Sequence, residues 1–211
     1  CMGRAAEVLE RIDSAREQGV DVGFDCYPYL KGCTLMSSLV VPPCVYAGGI
    51  DGAVALLEDP LARKIVRGIV PEEEWEEVHI SSVSLPENKR FEGMRISEFA
   101  DAVGKDPVDA CMDLLVAEKF HVSVIGWPVL EEDLRAVLHH PQCCLGSDGI
   151  PTGGARHPRA SGTFARFLGR YVRDLHLMPL EEAVRKVTSL PAARFGLRDR
   201  GVLAEGLAAD I

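Results

Sequence analysis

Three short segments of this chain place side chains where chemistry could be done. The first is Cys143-Cys144-Leu145-Gly146-Ser147-Asp148, followed by Gly149, Ile150 and Pro151. It reads as a buried strand, apolar or small throughout, that closes on a carboxylate at a turn. A carboxylate there would face a pocket rather than bulk water. It can bind a metal or take a proton from a metal-bound water; it can equally cap the turn that follows. The second segment is Arg156-His157-Pro158-Arg159. Its two arginines could clamp a carboxylate bidentately, or simply form a solvated basic loop. The third is Asp25-Cys26-Tyr27-Pro28-Tyr29, where two phenols flank a rigid proline just past a strand. They could line a pocket or pack against the rim of the fold.

The elements that must hold these segments follow from periodicity. Residues 3–18 space Ala5, Val8, Leu9 and Ile12 on one helical face, with Gly19 as the stop. Strands are predicted at 20–25, 78–83, 121–126 and 142–147. Helices are predicted at 53–68 (apolar side Ala53, Leu56, Leu57, Ala62, Ile65, Ile69), 95–103, 107–119, 131–139, 163–175 and 180–188. Asp106 with Pro107 is an N-cap followed by an N1 proline. Residues 30–55 are rich in glycine and proline and read as a long irregular stretch of the kind that forms lids or insertions. Alternating strands and helices predict parallel pairing with helical crossovers, in an open sheet or part of a closed barrel. Reacting groups in such folds collect at the carboxyl ends of strands, where all three segments fall.

Composition excludes some functions. Lys and Arg total 23 against 32 Asp and Glu, a net charge of −9, which argues against nucleic acid as a partner. The acidic run Glu72, Glu73, Glu74, Glu76 and Glu77 reads as a solvated face. No apolar run approaches the roughly 18 residues of a membrane span, and no secretory signal opens the chain. The seven cysteines include no C-x-x-C pair and read as free thiols of a cytoplasmic protein. His139 and His140 close a helix, where imidazolium suits the dipole. His121 and His176 are unremarkable by position, and His79, on a strand, reads more readily as structural than as a metal ligand.

With these residues in view, the chain resembles the N-acyl-D-amino-acid deacylases (D-aminoacylases) of the amidohydrolase superfamily. The resemblance is carried by D-C-Y-P-Y at 25–29, G-S-D-G-I-P at 146–151, H-P-R at 157–159 and G-T-F-A-R-F-L-G-R-Y-V-R at 162–173. L-E-E-A-V-R-K-V-T-S-L-P-A-A-R-F-G-L at 180–197 and the tail G-V-L-A-E-G-L-A-A-D-I continue it, with softer matches at 88–94 and 105–110. It implies an α/β fold: the C-terminal part of a (β/α)₈ TIM-type barrel over residues 1–200, an inserted segment at about 30–78, and at 201–211 the start of a strand returning to a small β-sandwich. It implies a zinc-bound hydroxide attacking the amide of an N-acyl-D-amino acid. Asp148 would contact the metal and carry the proton from water to the leaving amine. Arg159 would grip the substrate carboxylate, with His157, Tyr27 and Tyr29 lining its site.

The sequence departs from the family in one large respect: it contains no H-x-H pair, and no histidine precedes Val78. A catalytic zinc needs about three protein ligands. The other ligands are therefore expected from an N-terminal half of the barrel or from a second chain, and both ends of the chain read as cut within elements. Two alternatives remain at this level: a non-catalytic fragment that binds or assembles, and a cyclic-amide hydrolase like dihydroorotase or hydantoinase. The H-P-R and Y-P-Y motifs favour the linear substrate.

Overall fold

The computed structural model of the protein describes residues 3–70, 75–150 and 154–210. Residues 71–74 of the acidic run, 151–153 of the loop after Asp148, the first two residues and Ile211 lie outside the described residues. In chain order the elements are α1 (Ala5–Glu17), β1 (Phe24–Cys26), β2 (Gly32–Leu35), α2 (Ser37–Val40), α3 (Gly49–Glu58), α4 (Pro60–Arg67), β3 (His79–Ser82), α5 (Ile96–Val103), α6 (Pro107–Ala117), β4 (Ser123–Gly126), α7 (Glu131–His139), β5 (Cys143–Leu145), α8 (Arg159–Arg166), α9 (Leu180–Val187) and α10 (Ser189–Arg194). Short 3₁₀-helices occur at Pro43–Gly48 and Pro86–Phe91, and Phe167–Asp174 continues α8 as a π-helix. No helix among the described residues is long and apolar enough to cross a membrane.

The chain forms two compact units. The first comprises Cys1–Leu30, Val129–Gly149 and Pro158–Ile211. Its strands β1 and β5 pair in parallel, with Phe24 opposite Cys143, Asp25 opposite Cys144 and Cys26 opposite Leu145. The late helices pin the amino ends of both strands. Arg194 donates to Asp21 (2.6 Å), to the Val22 carbonyl (3.2 Å) and to Gln142 Oε1 (3.0 Å). The buried Lys186 ammonium donates to the carbonyls of His140 and Cys143. A buried ammonium must be hydrogen-bonded to persist, so this clamp is strongly specified. The opposite, carboxyl ends of the strands then lead into the D-C-Y-P-Y turn and Asp148. Leu134 and Leu138 of α7, Leu145, Phe167, Tyr171, Val172, Met178 and Ala183 form the apolar core. The predicted apolar face of α1 is buried only at Ala5, and Val8 remains exposed. Residues 201–210 form turns and bends, so the strand expected there is not made among the described residues.

The second unit comprises Lys31–Pro128 and Ile150–His157, against an inserted segment read from sequence at about 30–78. Its sheet is antiparallel, in the order β2-β4-β3. Thr34 lies opposite Val124, and Ile80 opposite Val124 on the other side. This corrects the reading of 78–83 as a parallel barrel strand, and it resolves 121–126 as the central strand of an antiparallel sheet. The parallel expectation came from strand–helix alternation, which does not distinguish a βαβ crossover from an antiparallel pair separated by helices. β2 lies inside the stretch read as irregular.

The helix predicted over 53–68 is two helices. Asp59 leaves the helical region (ψ 120°), accepts from Ala62 N (2.7 Å) and places Pro60 at N1 of α4. Pro60 has no N–H to continue α3. The break rotates the downstream apolar stripe, so Ile65 and Ile69 are exposed while Val66 is buried. The Asp106 cap forms as predicted, accepting from Val108 N (3.0 Å). A buried carboxylate, Glu118, organises the turn after β3: it accepts from Ser84 N (2.6 Å), Leu85 N (3.0 Å) and Asn88 Nδ2 (2.7 Å).

Candidate active site

In the first unit the structure brings Asp148, Arg159 and Tyr27 together. Asp148 follows β5 in a left-handed conformation, φ 44°. Non-glycine residues seldom adopt it, although aspartate tolerates it better than most, and such strain concentrates at functional sites. The turn carries the carboxylate outward: its side chain is 62% exposed, rather than facing away from bulk water as the strand pattern suggested. It is nonetheless held by a charged partner. Oδ2 lies 2.8 Å from Nη2 of Arg159, whose side chain is 2% exposed.

Arg159 is the first residue of α8. A cation is disfavoured at the positive end of a helix dipole, and burial of a guanidinium adds a desolvation cost. Contacts with the Asp148 carboxylate and the face of Tyr27 help to offset these costs. The Tyr27 ring centroid lies 4.5 Å from the guanidinium carbon, a cation–π geometry. Burial pushes the Tyr27 hydroxyl above its ordinary pKa; Asp148 adds to that, while Arg159 opposes it. The phenol therefore stays protonated across the neutral range.

The rest of D-C-Y-P-Y grips the same helix. Tyr29 donates its hydroxyl to the Pro158 carbonyl (3.3 Å), and Arg166 Nε donates to the Pro28 carbonyl (2.7 Å). The Arg166 guanidinium also lies over the Tyr29 ring at 5.0 Å. Sequence reasoning did not single out Arg166, although it lies within the G-T-F-A-R stretch; its role shows only once α8 and the turn are adjacent. His157 belongs to the second unit. It is buried, with Nε2 2.8 Å from the Lys31 carbonyl. His79 opens β3 opposite Arg95, and His140 is buried with Nε2 3.0 Å from Asp13 Oδ1.

Among the described residues no group of three or more His, Cys, Asp or Glu could hold a metal ion. Asp148 offers one carboxylate, already engaged by Arg159. Burial pushes the Cys26 and Cys143 thiols up to about 11 and about 12. The described residues do not by themselves fit a zinc site.

The first unit thus joins a strand-end aspartate to a helix-borne arginine. Residues 75–211 match the amidohydrolase family, and the chain belongs to that family. It is 35% identical over 212 residues to the N-acyl-D-glutamate deacylase of Alcaligenes xylosoxydans xylosoxydans, covering 99% of this chain and 35% of that protein. Identity to the D-aminoacylase of the same organism is 35% over 209 residues, again covering 99% and 35%. The fold is similar to the crystal structure of N-acyl-D-glutamate deacylase from Bordetella bronchiseptica, solved with zinc and a phosphonate mimic of the tetrahedral intermediate. The TM-score is 0.74 at 34% identity, with 99% of this chain and 36% of that one covered. A D-aminoacylase crystal structure superposes with a TM-score of 0.72 at 32% identity, covering the same shares. The chain thus spans about a third of the length of the relatives it matches.

Proposed function

We propose that this chain supplies the acid–base carboxylate and the substrate-carboxylate clamp of a metal-dependent deacylase acting on N-acyl-D-amino acids. The observation that carries the reading is the pairing of Asp148, at the carboxyl end of β5, with the buried Arg159 guanidinium at 2.8 Å. Belonging to a family whose similar members are deacylases supports it. In the proposed reaction Asp148 takes a proton from the attacking water as the water oxygen bonds to the amide carbon. It returns that proton to the nitrogen as the C–N bond breaks, releasing a carboxylic acid and a free D-amino acid. Arg159 holds the free carboxylate of the substrate. Tyr27 and Tyr29 act through Arg159, by stacking on it and by seating its helix. His157 anchors the loop that joins Asp148 to Arg159.

The remaining zinc ligands are proposed to come from protein outside these 211 residues. β1 and β5 would then be neighbouring late strands of a (β/α)₈ barrel, whose parallel pairing they have. The linear substrate is favoured over a cyclic amide because the similar proteins named above act on N-acyl amino acids. The test is hydrolysis of N-acetyl-D-amino acids, their L enantiomers and a cyclic amide, by this chain alone with zinc and by the same chain supplied with the rest of the polypeptide. Turnover of the D series only by the completed protein is expected. Robust turnover by the 211 residues alone refutes the external-ligand proposal, and preference for the cyclic amide refutes the substrate class.

A further inference from the structure

Helix α8 meets the D-C-Y-P-Y turn along one stripe. Pro158, Gly162 and Arg166 lie four residues apart, on one helix face. Pro158 accepts from the Tyr29 hydroxyl and Arg166 reaches the Pro28 carbonyl. Between them sits Gly162, a residue that weakens a helix relative to alanine. Space explains its presence. A Cβ at this position would lie 2.6 Å from Tyr29 Oη, and the next atom, Tyr29 Cζ, is 4.0 Å away. Outside its own helix, a methyl at 162 would collide with that one oxygen.

We infer that Gly162 is a positioning residue: it is the slot that receives the Tyr29 hydroxyl. The depth of that slot sets how closely α8 sits on the turn, and with it the placement of the Arg159 guanidinium one helical turn earlier. The inference rests on the clamp role proposed for Arg159. Because a single oxygen fills the slot, its loss from position 29 makes room for a methyl at position 162. The two sites are therefore coupled in a specific, compensating way.

The experiment is a double-mutant cycle in the zinc-loaded, completed deacylase, reading KM and kcat for an N-acetyl-D-amino acid together with the urea midpoint. Gly162→Ala is expected to raise KM roughly tenfold with kcat within about twofold, because it displaces a binding group rather than the proton carrier. Tyr29→Phe alone is expected to raise KM by roughly two- to threefold, from the loss of one neutral hydrogen bond. The double variant Tyr29→Phe/Gly162→Ala is expected to return KM to within about twofold of Tyr29→Phe alone. In this 211-residue chain, the Arg159 Nε–Hε resonance is expected to shift in Gly162→Ala and to return in the double variant, a readout independent of turnover. Multiplicative KM effects in the cycle, or Gly162→Ala with unchanged KM, overturn the slot. Arg159→Ala is the control. If it leaves KM unchanged, the clamp itself fails; if it raises KM while Gly162→Ala does not, the clamp stands and the slot is wrong.

Discussion

Replacing Asp148 by asparagine separates the chemistry of the carboxylate from its structural work. The backbone there is left-handed, φ 44°, a conformation that asparagine and aspartate tolerate but that costs alanine about 1–2 kcal/mol. The carboxamide oxygen keeps an acceptor in reach of Arg159, at the position Oδ2 holds 2.8 Å from Nη2. What is lost is the charge, and the Asp148 side chain is 62% exposed, so solvent screening holds that term to about 0–1 kcal/mol. Asp148→Asn should therefore lower the unfolding free energy by no more than about 1 kcal/mol. Asp148→Ala adds backbone strain and takes an acceptor from a buried guanidinium, for about 2–3 kcal/mol together. Catalysis should respond in the opposite order of subtlety. Asparagine cannot accept and return a proton, so kcat should fall about 10²–10⁴-fold. Urea denaturation followed by circular dichroism measures the first quantity, and hydrolysis of N-acetyl-D-amino acids by the zinc-loaded, completed protein measures the second. An Asp148→Asn protein with near-normal kcat removes Asp148 as the proton carrier. A stability loss above about 2 kcal/mol for the same variant would show that the ion pair holds the fold, contrary to the screening argument.

Three further outcomes are expected. Glu118→Ala removes the shared acceptor of two backbone amides and the Asn88 amide, and should destabilise the second unit by about 3 kcal/mol or more; a loss under about 1 kcal/mol in urea would show that the turn finds other partners. Gly154→Ala, at φ 77° with its Cβ 2.5 Å from the Ser81 carbonyl oxygen, should break the Ala155 N to Ser81 O hydrogen bond (2.8 Å). Amide exchange at Ala155 should then accelerate, and unchanged protection would contradict the steric argument. Burial pushes the Cys111 thiol up to about 12 from 9.0. In the unfolded chain it ionises near pH 9 and in the folded chain it does not, so its contribution to stability is complete below pH 9 and is lost as pH rises toward about 12. The urea midpoint should fall less steeply between pH 8 and 10.5 in Cys111→Ala than in the parent, and parallel slopes would exclude the thiol as a cause.

Local rules read from sequence located much of this molecule. The period of Leu134 and Leu138 placed α7 at its observed bounds. The Asp106-Pro107 pair marked the start of α6, because capping chemistry needs only neighbours in the chain. Asp148 stood out as a carboxylate ending an apolar strand and Arg159 within a short motif, and the structure pairs the two side chains. Asp59-Pro60 was equally local, a cap followed by an N1 proline, yet the apolar stripe running across it suggested one helix where there are two.

Other features belong to the tertiary structure alone. Nothing within 78–83 or 121–126 says whether the partner strand runs parallel or antiparallel, because pairing is decided by contacts distant in the chain. β2 was hidden for the same reason: Gly32–Leu35 becomes a strand by pairing with β4. Burial of Arg159 could not be foreseen either, since an arginine in a polar loop is ordinarily solvated; a tyrosine 132 residues earlier in the sequence provides the surface that covers it. The sequence by itself determined which side chains were available and which turns and helices would present them. Their meeting was decided by packing, because the energies that bring Tyr27 onto Arg159 and Tyr29 against Gly162 act through space and leave no periodic trace along the chain.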